Sequence, residues 1–429
     1  MINGQMNEQF RTETRRSKAR FLESLANPAN AQRIVLQDLE NITAEAMFWN
    51  SGAARLDSLS AFKASVPIRE YSDFEAAIDK EVVTRGGVLT CSPVLRWLKT
   101  SGTTGKAKKI PYSQHWMRQY RVPAMHAMWD TFLTVAPQIL LHEHSMLDTQ
   151  SVREAVPPTI HGLSHQAISN RHPQIDCRDW NPPWYNAPWY GPDVPATHAG
   201  RMYMRLRHFL GMDLRGITAI NPSTIISMAD ILESEAECLA RDLADGTILG
   251  SASRLDPMPK AAKHLLEVVG RNDWSFNDHW SRLSFLSCWT SASAGQYLPR
   301  LKELAPRATI APFMTCGTEG VVTIPINTEL ESQPLAVNQG VYEFIPAETD
   351  PSEWLGTPAS TLEFNELEEG RRYHLVMSQG HGLLRLWTRD IFEVTEMRQG
   401  VPWLRFIERH GVFHSFTGEK LTHTDVAGL

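Results

Sequence analysis

Thr100-Ser101-Gly102-Thr103-Thr104-Gly105, continued by Lys106-Ala107-Lys108-Lys109, is the stretch on which the reading of this chain turns. Gly102 and Gly105 let the backbone approach an anion closely and present N–H donors to it. Ser101, Thr103 and Thr104 add hydroxyl donors, and Lys106, Lys108 and Lys109 add positive charge. The spacing is not that of a Walker A loop, which needs four residues between its glycines and Ser or Thr after its lysine. Here only Thr103 and Thr104 lie between the glycines, and Ala107 follows Lys106. P-loop kinase or ATPase chemistry is therefore disfavoured. Alone, the stretch reads equally well as a flexible turn. The lysine cluster favours an anionic partner, because crowded like charges need one or full solvation.

Outward from the loop, SPVLRWLK (92–99) reads as a short apolar strand, and a helix is expected to begin near Ser113. Strand, Gly-rich loop and helix form the setting that a phosphate-binding loop requires. Further on, NPSTIISMADILESEAECLARDLADG reads as one helix. Asn221 is its N-cap, Pro222 its first residue, and Ile225, Met228, Leu232, Leu239 and Leu243 its apolar stripe, with Gly246 as the stop. LSFLSCWTSAS (283–293) and ATIAPFMTCGTEG (308–320) read as buried strands running into small-residue turns. From about 335 the runs GVYEFIP, RYHLVMSQ, GLLRLWTRDIFEVTEM and WLRFIERHGVFHSF suggest an antiparallel, barrel-like unit. The Pro- and Trp-rich stretch 181–195 reads as an irregular loop with no assigned role.

Bulk properties set the limits. The chain has 429 residues, more than one hydrophobic core usually holds, so several subdomains are expected. Apolar residues make up 42% and charged residues 21%, a globular mixture. A net charge of −6 argues against binding nucleic acid by phosphate neutralisation. No run approaches the roughly 18–20 apolar residues that span a bilayer, and MINGQMNEQFRTETRRSKARF has no signal-peptide core. Cys91, Cys177, Cys238, Cys288 and Cys316 never form a C-x-x-C pair and read as reduced thiols, so a cytoplasmic protein without membrane partners is expected. Residues 1–60 read as helical. Their basic run (Arg11, Arg15, Arg16, Lys18, Arg20) reads as a solvated face. His142 and His144 lack a third ligand at metal-site spacing and read as surface or packing residues.

The loop resembles the phosphate-binding signature of adenylate-forming enzymes. Within that superfamily the chain is most similar to the auxin-responsive acyl-acid amido synthetases. VPIREY (66–71), SASAGQY (291–297), VYEFIP (341–346) and the stretch from Gly382 to Lys420 resemble that family's blocks, in order, over most of the chain. The resemblance implies an α/β fold: a large N-terminal domain of two α/β subdomains with a distorted antiparallel β-barrel subdomain. The boundaries expected are 1–334 for the α/β core, 335–418 for the barrel-like part and 419–429 for a hinge. TGEKLTHTDVAGL reads as the severed linker to a C-terminal lid domain, which the family carries.

The resemblance also implies roles. Thr100 to Gly105, with Lys108, would grip the phosphates of ATP, and Lys109 would act in catalysis. In TCGTEG, Thr315, Cys316 and Gly317 would border the adenine, Thr318 would bind the α-phosphate and Glu319 would hold Mg2+. Thr315 stands where an aromatic is usual. In RLWTRD, Asp390 would accept both ribose hydroxyls, which suits a carboxylate's two oxygens. Arg389 stands where glycine is common. In RFIERHG, Arg409 would lie near ribose or phosphate, with a surface ion pair to Glu408 as the competing reading. The implied reaction joins a carboxylic acid to AMP, releases pyrophosphate, and passes the acyl group to an amine, usually of an amino acid. Transfer to coenzyme A or a carrier-protein thiol, and a nucleotide-binding module without catalysis, are the rival readings.

Overall fold

The computed structural model describes residues 4–49, 58–84, 86–99, 108–142, 144–149, 195, 197–253, 255–411, 413–416 and 419–422. Residues 100–107 (expected to grip phosphate), Cys177 and the stretch 181–194 lie outside the described residues. So do 50–57, within the segment read as helical, and 423–429, within the expected hinge.

Helices α1 (Gly4–Ala26) and α2 (Pro28–Thr43) part at Asn27, with Pro28 opening the second. The basic run of α1 is not uniformly solvated. Arg15, Arg16 and Arg20 are exposed, but Lys18 is buried and donates to Thr131 Oγ1 at 2.5 Å and to the Pro325 carbonyl at 3.2 Å. Burial pushes that ammonium down to about 8. Helices α3 (Leu59–Ser65) and α4 (Glu75–Thr84) flank the segment 66–74, which carries VPIREY.

Strands β1 (Val94–Lys99) and β2 (Lys109–Ser113) pair antiparallel, with Lys99 opposite Lys109 and Trp97 opposite Pro111. The loop therefore joins the two arms of a β-hairpin, where the sequence suggested strand, loop and helix. Pro111 masks the second strand. It is tolerated because a two-stranded sheet has only edges. Helix does follow at Ser113, whose hydroxyl accepts from Trp116 N at 3.2 Å. A short α5 (Gln114–Trp116) leads through a π-helical turn, Met117–Arg121, into α6 (Val122–Val135).

The central sheet is parallel, in the order β3 (Met146–Asp148), β4 (Gly216–Thr218), β7 (Phe285–Cys288), β8 (Thr309–Pro312). A small separate hairpin, β5 (Thr247–Ile248) and β6 (Ser251–Ala252), intervenes in the chain. The central strands are short and buried throughout except at Thr309, as expected for a parallel sheet covered on its faces. Helices α7 (His198–Phe209), α8 (Pro222–Ser234), α9 (Ala236–Asp245), α10 (Pro259–Val269), α11 (Phe276–His279) and α12 (Leu298–Leu304) contribute to the same core. The single helix expected over 222–246 is two, broken at Glu235 (φ −112°, ψ 15°). Ile225, Met228, Leu232, Leu239 and Leu243 stay fully buried across the break, so the bend keeps one stripe on one core.

The barrel-like part takes the form of a five-stranded antiparallel sheet. Its order is β10 (Val341–Pro346), β11 (Arg372–Ser378), β12 (Leu386–Arg398), β13 (Val401–Arg409), β9 (Gln333–Pro334). Glu419–Thr422 (β15), where the hinge was expected to begin, pairs as a strand with β14 (Phe413–Phe416). Gln399 and Gly400, both at positive φ (52° and 76°), close the β12–β13 hairpin in two residues. Two bulges interrupt this ladder, leaving Thr395 unpaired on β12 and Ile407 unpaired on β13.

One buried ion pair ties this sheet to the N-terminal region. Arg385, at φ 51°, donates from Nε and Nη2 to Glu343 at 3.0 and 2.7 Å, with both side chains at 0% exposure. Its remaining donors meet the carbonyls of Lys63 (2.9 Å), Val66 (2.6 Å) and Ala359 (2.9 Å). Thr361 Oγ1 donates to Glu343 at 2.6 Å. Arg385→Met strands the Glu343 charge and is expected to cost about 3–5 kcal/mol in urea unfolding. The double variant Glu343→Gln/Arg385→Met should lose less, and an equal or larger loss would contradict this account.

Candidate functional site

The base of the β1–β2 hairpin loop is held by Tyr71. Its hydroxyl accepts from Lys109 N at 2.6 Å and donates to Lys109 O at 3.0 Å, and burial pushes the phenol up to about 12. Strand alternation then separates the two lysines. Lys109 Nζ turns outward to Asp79 at 3.2 Å and does not join the other candidate residues. Lys108 shares the face of Ile110 and Tyr112. It lies in the field of Glu319, Arg409, Arg389 and Asp390, its ammonium 5.2 Å from the Tyr71 ring centre. Burial lowers its pKa.

Opposite the hairpin, β8 runs into the TCGTEG turn. Gly317 N donates to Gly320 O at 2.9 Å and Val322 N to Thr315 O at 2.8 Å, folding Thr315 to Gly320 into a tight reversal. A side chain at 317 would start 2.8 Å from Glu319 Oε2, so only glycine leaves the carboxylate where it is. The reversal is clamped from outside. Tyr112 Oη donates to Thr318 O at 3.1 Å, and His381 Nε2 lies 2.7 Å from Glu319 O. His381 Nδ1 accepts from Leu383 N at 3.0 Å, so the ring's proton sits on Nε2 and is donated to Glu319. Burial holds that imidazole down at about 4. Glu319 takes the Thr318 hydroxyl on Oε2 at 2.9 Å and faces Arg409 Nη2 at 3.8 Å from Oε1.

Asp390 and Arg409 are directly opposed across β12 and β13, with Arg409 Nε 3.6 Å from Asp390 Oδ1. Arg409 Nη2 also donates to Thr388 O at 2.9 Å. On the other side of β12, Thr388, Arg389 and Asp390 face the single Leu375, between the pairs His374–Ile391 and Val376–Trp387. Bulges of this kind re-aim side chains beside functional clefts. Although 28% of the Asp390 side chain is exposed, its carboxyl lies deep enough that burial pushes it up to about 6. Arg409 and Lys108 oppose that shift, and Glu319 adds to it.

Two members of this neighbourhood carry no motif. Arg121, at the end of the π-helical turn, is buried, with Nη2 3.8 Å from Cys316 Sγ. Its Nε and Nη1 find no hydrogen-bond partner among the described residues, and it lies within the field of Glu319. His381 is the other, and nothing in the sequence around either residue marks it out. Glu319 suits Mg2+, which binds through one or two carboxylates completed by substrate phosphates. Among the described residues, no group of three or more His, Cys, Asp or Glu is placed to hold a metal ion. His142 Nε2 instead lies 3.6 Å from Asp213. No helix among the described residues is long and apolar enough to cross a membrane.

This geometry can be set against known proteins. The GH3 family N-terminal domain matches residues 17–310, and the GH3 family central domain matches residues 333–409. The indole-3-acetic acid-amido synthetase GH3.8 of Oryza sativa subsp. indica is 22% identical over 443 residues, covering 96% of this chain and 71% of that protein. The 4-substituted benzoates-glutamate ligase GH3.12 of Arabidopsis thaliana is 22% identical over 393 residues, covering 85% and 66%. The solved AtGH3.15 acyl acid amido synthetase in complex with 2,4-DB superposes with a TM-score of 0.76 at 17% identity, covering 97% and 74%. The α/β architecture and the resemblance to acyl-acid amido synthetases are borne out, and the chain belongs to the GH3 family.

Proposed function

We propose that this chain uses ATP to convert a small carboxylic acid into its acyl-adenylate, releasing pyrophosphate, and then transfers the acyl group to the amine of an amino acid, releasing AMP. The observation that carries this reading is the convergence of Lys108, Glu319, Asp390 and Arg409 on one cleft beside the base of the hairpin loop, next to Arg121 donors that find no partner among the described residues. Relatives named for joining indole-3-acetic acid to an amine, or 4-substituted benzoates to glutamate, support the substrate classes.

A carboxylate is already ionised at neutral pH, so its attack on the α-phosphorus needs alignment and charge neutralisation more than a general base. Arg121 would anchor the acid's carboxylate, since a buried guanidinium with open donors is a site for a planar anion. Asp390 would accept the ribose hydroxyls, and Thr318, Lys108 and Arg409 would meet phosphate oxygens. Glu319 would hold Mg2+, which when bound neutralises phosphate charge. Lys109, turned toward Asp79, is left outside this chemistry.

ATP–pyrophosphate exchange over a panel of acids tests the first half-reaction, and product analysis with amino acid against thiol acceptors tests the second. Absence of exchange with every acid, in protein shown to bind ATP, would end the proposal. Glu319→Gln is expected to lower exchange by about 100-fold or more while the protein stays folded; unchanged exchange removes the metal role. Arg121→Met should raise KM for the acid by roughly tenfold or more and leave KM for ATP nearly unaltered. A rise in both would point to collapse of the turn instead.

The raised carboxyl of Asp390 gives two pH effects of opposite sense. Nucleotide affinity should weaken as pH falls through about 6, where the acceptor becomes protonated, and Asp390→Asn should bind weakly with no such step. In ligand-free protein the ionised carboxylate opposes folding. Its contribution to stability is full below about pH 4 and lost as pH rises through about 6. Asp390→Asn should therefore stabilise the ligand-free protein at pH 8 by roughly 1–2 kcal/mol after solvent screening, and by nothing at pH 4. Equal melting of the two proteins at pH 8 counts against this.

A further inference from the structure

We propose that Arg389 is a positioning residue for the nucleotide, holding the base of the phosphate loop in register with the ribose carboxylate through its ion pair with Glu70. The inference rests on the reading of this cleft as the ATP site. Arg389 lies at φ 67°, in the left-handed region, inside the bulge that carries Asp390. Glycine occupies that region without strain, and an arginine there needs a compensating interaction.

The compensation is visible. Arg389 donates to Glu70 Oε1 from Nε at 2.9 Å and from Nη2 at 2.5 Å, while its guanidinium lies 5.4 Å from the Trp387 ring centre. A fork fixed on a carboxylate and stacked on an aromatic is better defined than an ordinary exposed pair. Its carbonyl accepts from His410 N at 2.6 Å, tying it to the end of the strand that carries Arg409.

Glu70 in turn sits one residue before Tyr71. The backbone of the preceding residues is already laced to β12: Arg69 N donates to Arg385 O at 3.0 Å and Trp387 N to Arg69 O at 2.8 Å. The Glu70–Arg389 pair is the next rung, and beyond it Tyr71 grips both backbone groups of Lys109. The path from the ribose residue to the loop base is thus Asp390, Arg389, Glu70, Tyr71, Lys109. Every link after the first, a chain bond, is either another chain bond or a hydrogen-bonded contact.

Arg389→Gly, Glu70→Gln, the double variant and Arg389→Lys test the assignment. Calorimetric ATP affinity, the KM values for ATP and acid, hydrogen exchange at the Lys109 amide and thermal melting are the measurements. Arg389→Gly should melt at or above the parent temperature, because backbone strain is relieved. It should nevertheless bind ATP about three- to fivefold more weakly, the size of a well-formed exposed ion pair. The Lys109 amide should exchange faster, while kcat and KM for the acid stay near the parent values. Glu70→Gln should behave alike, the double variant should be no worse than either single, and lysine should restore the effect only in part.

Unchanged ATP affinity and Lys109 protection in Arg389→Gly would overturn the proposal. So would weak ATP binding in Arg389→Gly with normal binding in Glu70→Gln, which means Arg389 meets phosphate directly. If the parent protein binds ATP but catalyses no exchange with any acid, while Arg389→Gly still loosens Lys109 and weakens ATP, the acyl-adenylation reading falls and the clasp stands.

Discussion

Arg385 and Glu343 are both removed from water, and each charge carries a desolvation penalty that only close pairing and complete hydrogen bonding can offset. The pair meets that condition with a two-pronged contact and three carbonyl acceptors drawn from the end of α3, from Val66 and from Ala359. Its effect is to bring the chain around 63–66 against the start of β12. Everything nearer the cleft inherits that placement. Residues 68–71 run beside 385–387, Tyr71 reaches the hairpin, and Lys108 is presented toward Glu319 and Asp390. The buried ion pair thus precedes the one between Asp390 and Arg409.

The cleft's electrostatics differ from those of the whole molecule. The chain carries a net charge of −6, yet Lys108, Arg121 and Arg409 gather around Glu319 and Asp390. The two carboxylates partly neutralise the three cations. A nucleotide polyphosphate would complete that neutralisation and free Asp390 to accept hydroxyl groups. Burial is the chief cause of both the raised carboxyl of Asp390 and the lowered ammonium of Lys108, and the opposite charges around each resist the shift.

What could be read from the residues alone follows the range of the interactions involved. Short motifs such as TCGTEG and RLWTRD keep their chemistry in adjacent positions, and their glycines and carboxylates are legible one residue at a time. The odd arginine at 389 was legible too, as a departure. The distinction between Lys108 and Lys109 was not, because it depends on recognising Lys109–Ser113 as a strand, and Pro111 disguises it. Arg121 and His381 were also hidden, since their partners lie 195 and 62 residues away and only folding joins them. Lys18 was misread for a similar reason: its acceptors on Thr131 and Pro325 belong to distant parts of the chain.

The long hairpin of β12 and β13 has one further implication. Counting back from the two-residue turn, Thr395 drops out of the ladder on one strand and Ile407 on the other, so the two irregularities cancel. Asp390 consequently meets Arg409, as it would in an uninterrupted hairpin of the same length. Were Ile407 alone drawn into the ladder, the count would slip by one and Asp390 would stand opposite Glu408, acid against acid. The hairpin behaves as a vernier, its paired offsets setting which charge faces Asp390. Changes in length between residues 390 and 409 would be tolerated only in compensating pairs, however far from the cleft they fall.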